Sequence, residues 1–416
     1  MYYRLFILIA FIGFSKAFSQ VEEEVNPPDY IKTIVFKGNT QESQLPIIQL
    51  GDLLQLEFDA LTANEDDFYY EIEHYDYDWK RSALFETEYL NGIDNQRIRT
   101  YENSFNTYQI YSHYRLTIPN QQTRGLKVSG NYMIKIYDDY GDLIFSRKFM
   151  VYEPLSSVGI NVRQSRDVRF FDTKQNVDLI VIPRNINVIN PDQTLKTTIV
   201  QNNNLNTAVY NLKPQYTLGK ELVYKYTKET AFWGGNEYFF FENKDLRSAT
   251  SAIQFIELRD LYHGYLYTNI PRKDRPYTYN PDINGNFLIT AIDVENPDIE
   301  ADYAWVHFSL LSPELFEKEV YVYGNYNNYA LNQENLMQYD SDRGVYYTAI
   351  RLKQGFYNYK FVTFDKKKGI LNENEFSGSY SLTENNYKVL VYYRELGGRY
   401  DRIIGYNEIN SAGLNN

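Results

Sequence analysis

Short runs in which apolar and polar residues alternate recur along the whole chain. In Leu53–Phe58, Leu54, Leu56 and Phe58 take one set of positions, and Gln55 and Glu57 take the other. In Phe68–Tyr75, Tyr70, Ile72 and His74 alternate with Tyr69, Glu71 and Glu73. A period of two sends successive side chains to opposite faces of a strand. Ile31–Phe36, Tyr132–Tyr137, Leu143–Tyr152, Val177–Ile182, Thr194–Val200, Ile253–Leu258, Val306–Leu311, Tyr346–Leu352 and Tyr387–Arg394 read as strands too. Turn residues separate them, among them Asn91-Gly92, Pro119-Asn120, Asp138–Asp142, Asn202–Asn204 and Gly234-Gly235-Asn236. This spacing of strands and polar turns predicts an all-β chain of three tandem β-sandwich domains, Ig-like or early-set. The boundaries fall at 20–154, 155–301 and 302–416, after a leader at 1–19. Helix is expected only in short turns such as Glu314–Glu317.

Two stretches interrupt the pattern. Residues 20–28 are acidic and end in Pro27-Pro28, which reads as a flexible lead-in. Asp293–Asp302 holds Asp293, Glu295, Asp298, Glu300 and Asp302 around Pro297. It lacks the spacing of a calcium loop and reads as a solvated connection between units.

Composition sharpens the class. Aromatic residues are 17% of the chain, with 42 Tyr but only 3 Trp, which favours half-buried pleated surfaces over helices. Residues 1–19 have the form of a secretory signal peptide: Arg4, the apolar run Leu5–Phe14, then Ala17-Phe18-Ser19, with cleavage expected before Gln20. The run is too short for a span of ~20 apolar residues. The chain has no Cys, so it carries neither a disulfide nor the acylated residue of a lipoprotein. The formal net charge is −12, and loss of Arg4 and Lys16 with the leader would make it two units more negative. That balance argues against a nucleic-acid partner and against simple adsorption to anionic lipid.

Candidate chemistry is sparse. His74, His113, His263 and His307 show no metal-ligand spacing, and neither a nucleophile elbow nor a phosphate loop occurs. No catalytic, cofactor-binding or metal-ligating residue is assigned. Trp79, at the end of an aromatic strand, is assigned to the core. Tyr321, Tyr323, Tyr326, Tyr329, Tyr357 and Tyr359 crowd one end of the third unit. Of these, Tyr326, Tyr329 and Tyr357 are the candidate partner contacts, since exposed Tyr suits a protein interface or a sugar surface.

Five motifs in the first 135 residues follow a fixed order: Asp78-Trp79, Glu88–Gly92 (EYLNG), Ser104–Thr107 (SFNT), Tyr111–Asn120 (YSHYRLTIPN) and Ser129–Tyr132 (SGNY). In this order they resemble the N-terminal domain of the type IX secretion system plug proteins. Gly234–Glu237 (GGNE), Asp282–Gly285 (DING) and Gly397–Gly405 (GGRYDRIIG) are similar to later pieces of the same family. In the strand after GGNE the family carries a basic and an acidic residue, whereas this chain reads Phe239-Phe240-Phe241-Glu242-Asn243, so no role is carried over there. The resemblance implies a periplasmic, non-enzymatic protein without cofactor, monomeric before docking. It implies docking at the inner face of the outer membrane, without membrane insertion. The partner would be the large outer-membrane translocon, whose pore the plug closes when no cargo is passing. A second resemblance competes. Gly324–Tyr329 (GNYNNY) and Gly355–Phe361 (GFYNYKF) look like early-set starch- and glycogen-binding modules, with Tyr329 where a stacking Trp is expected. That alternative implies a periplasmic glycan-binding protein.

Overall fold

The computed structural model describes residues 21–38, 44–62 and 64–412. The expected signal peptide at 1–19 lies outside them. Strand is the dominant regular structure of the described chain. Helix is confined, among the described residues, to the single turns Glu86–Tyr89, Pro191–Thr194 and Pro297–Glu300 and two 3-10 turns. Glu314–Glu317, expected as a helical turn, holds no helix but a tight turn closed by Lys318 N on the Leu315 carbonyl at 3.1 Å, just before the strand Glu319–Tyr323.

The first core lies between two sheets. One runs in the order Ile31–Lys37, Leu54–Ala60, Ser112–Ile118, Thr100–Asn103. The other runs Ile47–Gln49, Leu143–Tyr152, Gly130–Tyr137, Tyr69–Tyr75, Gln96–Arg97. Leu54, Leu56 and Phe58 enter the core on one face of their strand, as alternation requires. They meet Tyr70, Ile72, Tyr132, Phe145 and Phe149 from the facing sheet. Phe58 stacks on Tyr114 at 5.2 Å and meets Phe145 edge-on at 5.2 Å. Such pairs add about 0.5–1.5 kcal/mol beyond area burial.

The remaining sheets do not follow the expected boundary between 301 and 302. The last two strands, Asn386–Tyr393 and Arg402–Asn410, continue the sheet of Asn204–Leu212 and Leu195–Gln201. That sheet faces Ser156–Gln164, Lys174–Pro183, Glu221–Tyr224 and Tyr216–Leu218. Tyr387, Val389 and Val391 share its core with Val177, Leu179 and Ile199. Conversely, Phe241, Ile253, Leu266 and Phe287, expected in the middle unit, pack with Val306, Phe308, Val322 and Phe361. Tyr262–Leu266 pairs in parallel with Tyr303–Leu311, across the expected boundary. Periodicity locates a strand, but any strand with an apolar face can pair with several edges, so it leaves the neighbour open.

Two further arrangements depart from expectation. Residues 21–28 are not a free lead-in. Glu22 N donates to the Trp79 carbonyl at 3.0 Å, and Ser146 N to the Val25 carbonyl at 3.1 Å. Glu24 accepts from Lys148 N at 2.6 Å and from Asn328 Nδ2 at 2.7 Å, tying the first core to the third. The acidic span also makes specific bonds. Asp302 is buried and accepts the backbone N–H of Tyr108 at 2.7 Å and of Gln109 at 3.0 Å. Asp298 pairs with Arg115 at 2.6 Å.

Candidate functional site

The polar face of the strand Leu54–Ala60 is buried as well as its apolar face, because the sheet carrying Tyr303–Leu311 and Val345–Lys353 covers it. Asp59, fully buried, receives Lys353 Nζ at 2.7 Å, the Tyr303 hydroxyl at 2.6 Å and His113 Nδ1 at 2.7 Å. Lys353 Nζ also donates to the Asp298 carbonyl at 2.6 Å. Burial alone would raise the Asp59 carboxyl. The Lys353 charge and the His113 hydrogen bond outweigh it and hold the group below the usual carboxylate range.

Beside it, Glu57, His113 and Asp298 place their donor atoms within 4.8 Å of one another. Arg115 already fills that space, with Nε at 2.6 Å from Glu57 and its terminal nitrogen at 2.6 Å from Asp298. The cluster is an ion-pair lattice, and a metal ion would have to displace the guanidinium.

A second junction joins the first core to the C-terminal strands. Arg394 bridges Asp76 and Asp401 at 2.6 Å each. Asp401 accepts from Tyr77 N at 3.2 Å, and its own N–H donates to Asp76 at 3.1 Å. Asn131 Nδ2 donates to the Asp76 carbonyl at 3.0 Å, while its Oδ1 accepts from the Tyr392 hydroxyl at 2.8 Å. Trp79 is 5% exposed and packs with Leu45, Tyr75, Met133 and Met150, and with Val200, Leu390, Tyr392 and Ile403 from the other sheet. It is a core residue, as expected, but of a core shared between units. Gly130 allows this approach. Its φ is +152°, and a Cβ there would lie 2.2 Å from His74 Nε2 and 3.1 Å from the Asp401 carbonyl.

His74 is sealed in among Tyr89, Tyr132 and Tyr400. Burial pushes it down to about 4, against ~6.5 in an unfolded chain. Above pH ~6.5 both states are neutral and the full stability is present. As pH falls from ~6.5 towards 4 the unfolded chain takes up a proton that the folded one refuses, so stability is lost. His307, pushed down to about 4 by burial and by neighbouring His263, acts in the same window. His74→Gln is therefore expected to flatten the acid limb of a stability–pH curve by about 3 kcal/mol between pH 6.5 and 4, measured by denaturant unfolding.

Two further buried carboxyls are raised and hydrogen-bonded within the fold. Burial raises Asp94 to about 7, and it accepts from Ile72 N at 3.0 Å. Burial raises Glu237 to about 7 in the GGNE turn, where it accepts the Tyr277 hydroxyl at 2.5 Å.

The candidate contact tyrosines are placed otherwise than expected. Tyr329 is buried, and its hydroxyl donates to the Asn202 carbonyl at 2.8 Å. Tyr357 is buried between Phe241 and Phe287. Tyr326 is half-buried, its hydroxyl donating to the Val322 carbonyl at 3.1 Å. The Asn202-Asn203 turn and the start of the strand Asn204–Leu212 cover this end of the third core, with Asn204 and Asn206 donating to the Tyr323 hydroxyl at 3.1 and 3.2 Å. Tyr329 and Tyr357 thus offer no ring face to a partner or a sugar.

Aromatic groups are exposed elsewhere, on the outer face of the sheet Ile253–Leu258, Tyr262–Leu266, Tyr303–Leu311, Val345–Lys353, Gln338–Asp340. Phe255, Tyr265 and His307 stand opposite one another on three neighbouring strands and stack at 4.2 and 4.0 Å. Ser309, two residues on from His307, is paired with exposed Tyr347.

Several of the sequence motifs are junction pieces. SFNT places Phe105 N on the Ile299 carbonyl at 2.9 Å, and the YSHY segment places the Tyr111 hydroxyl on the Ala301 carbonyl at 2.8 Å. GGRYDRIIG supplies Asp401 to the Asp76–Trp79 turn. The family model for the type 9 secretion system plug protein 1st domain matches residues 31–153. The chain carries the first domain of the type IX secretion plug family over these residues. A crystal structure of a hypothetical protein from Parabacteroides merdae ATCC 43184 superposes with a TM-score of 0.89 at 32% identity, covering 93% of this chain and 98% of that one. No curated protein matches the chain in sequence. The match to the plug first domain points to a structural, non-catalytic role in type IX secretion at the cell envelope. Among the described residues no helix is long and apolar enough to cross a membrane.

Proposed function

We propose that this chain is a non-enzymatic plug that docks, as a monomer, on the periplasmic mouth of the type IX outer-membrane translocon. There it closes the pore when no cargo is passing. The reading rests on the plug-family match, and one observation favours it over a general adaptor. Several family motifs, among them SFNT, SGNY and GGRYDRIIG, lock neighbouring cores together, which suits a stopper that must not deform under load. We read these cores as three sandwich units, the middle one completed by the last two strands.

Docking falls to the exposed aromatic row rather than to Tyr326, Tyr329 or Tyr357. A sheet whose outer face carries exposed Phe255 and Tyr347 beside half-buried Tyr265 and Trp305 is the kind of surface that interfaces select, enriched in aromatic residues at their centre. The double variant Phe255→Glu with Tyr347→Glu should melt with the wild type and lose co-purification with the translocon from native membranes. Since hot-spot losses run at about 2 kcal/mol or more per residue, a drop of at least roughly tenfold in recovered translocon is expected. Undiminished recovery would remove this face from the proposal.

A further inference from the structure

A cavity of about 60 Å³ lies between the first and third cores. The strand Ile31–Lys37 and Arg147 wall it on one side, and the 3-10 turn Asn325–Asn327 and the strand Val345–Lys353 on the other. Both walls leave regular backbone here. The pairing of Ile31–Lys37 with Leu54–Ala60 shifts register between Lys32 and Val35, and Thr33 takes φ +51°. That is a rare conformation for a β-branched residue, and such strain gathers where a structure builds a site. On the facing wall Asn328 takes φ +57°.

Arg147 is only 6% exposed, yet its charge is not matched. Its Nη1 donates to the Ser146 carbonyl at 2.8 Å and reaches the Val25 carbonyl at 3.5 Å, and the guanidinium lies 5.6 Å from the Phe145 ring centre. Among the described residues no carboxylate pairs with it, and its Nε and Nη2 make no hydrogen bond. Glu24 acts on Arg147 only through space, its oxygens being taken by Lys148 N at 2.6 Å and Asn328 Nδ2 at 2.7 Å. The charged lining residues are Lys32, Arg147 and Arg351 against Glu334 alone. Lys32 pairs with Glu334 at 2.6 Å, and Arg351 donates to Gln109 Oε1 and to the Asp29 carbonyl at 3.2 Å each. The cation left open is Arg147.

We propose that this cavity binds a small oxyanion, a phosphate or a carboxylate, with the Arg147 guanidinium as its main contact. A buried cation without a counter-charge destabilises a fold, and a diffusible anion offsets that cost. A guanidinium matches these anions by two parallel N–H donors, and Nε with Nη2 form such a fork. The space suits one such group or a few waters. An anion held there ties Arg147 of the first core to the Asn-rich turn of the third. The inference stands apart from pore closure and from the aromatic docking face.

Thermal melting of the full chain in millimolar sodium phosphate, against sodium chloride of equal ionic strength, tests it. A saturable rise in melting temperature is expected, as for any ligand that binds the folded state alone. Acetate in a parallel titration shows whether the fork takes a planar oxyanion too, and a saturable rise with either anion supports the site. Arg147→Met should weaken the affinity read from that rise roughly tenfold or more, and Arg147→Lys, which keeps the charge without the fork, should fall between. Crystals of the wild-type chain soaked in selenate test the site without a variant: anomalous density for selenium is expected beside Nε and Nη2 of Arg147. An empty cavity in selenate, no saturable rise with either anion, or a rise that Arg147→Met leaves unchanged overturns the proposal and leaves the cavity to water.

Discussion

Lys353→Met is expected to destabilise the chain by about 3–5 kcal/mol, because it leaves the Asp59 carboxylate buried without its main counter-charge. The strand Leu54–Ala60 and the strand Val345–Lys353 belong to different sheets, and Asp59 with Lys353 is the ionic contact at the centre of their meeting face. His113 and the Tyr303 hydroxyl remain on Asp59 and set the lower end of the range. The double variant with Asp59→Asn should recover much of the loss, since no bare charge is then buried. Thermal melting reads both, and a double variant as unstable as the single would mean that packing, not charge, decides the junction. The pH dependence has a definite sign. The folded Asp59 carboxyl lies below its unfolded value, so its contribution is present above the unfolded carboxylate range near ~3.9 and is lost as pH falls through the folded value.

Trp79→Ala should cost a comparable ~3–5 kcal/mol through the cavity it leaves among Tyr75, Met133, Met150 and Leu390. The ring also carries Lys148 Nζ at 4.7 Å from its centre, an interaction lost with it. Trp79 has φ +58°, an unfavourable left-handed conformation for a bulky residue that the burial of its ring offsets. Because the surrounding side chains come from two units, the loss belongs to the full-length chain. The expected signature is a lower melting temperature together with faster proteolysis around Glu153 and Asp401, where the two units meet. An unchanged melting temperature would show that the indole is not part of the shared core.

Much of the strand content was legible because alternation is a local property. Leu54, Leu56 and Phe58 needed no knowledge of the rest of the chain to be placed inward. What alternation could not supply is which surface covers the other face. Glu57 and Asp59 look like solvent-facing positions and are buried under a second unit, where Lys353, His113 and Arg115 make them tolerable. A carboxylate between Phe58 and Ala60 in an apolar strand was a usable signal, but its partner stands almost three hundred residues away. Tyr329 was misread for a related reason. A tyrosine at the end of an Asn-rich turn reads as exposed, yet the Asn202-Asn203 turn and the strand that follows it close over it. The motifs were recognisable as family pieces, while their work in joining units shows only when Asp401 is seen against Asp76 and Tyr77.

Permeability of the outer membrane tests the plug reading most directly. In cells that hold the translocon, deleting this gene should leave an idle pore open and raise uptake of vancomycin, which is large and hydrophilic. Deleting the translocon as well should restore the barrier, because no pore is then left to close. Unchanged vancomycin sensitivity in the single deletion, with the translocon present and idle, would contradict the account.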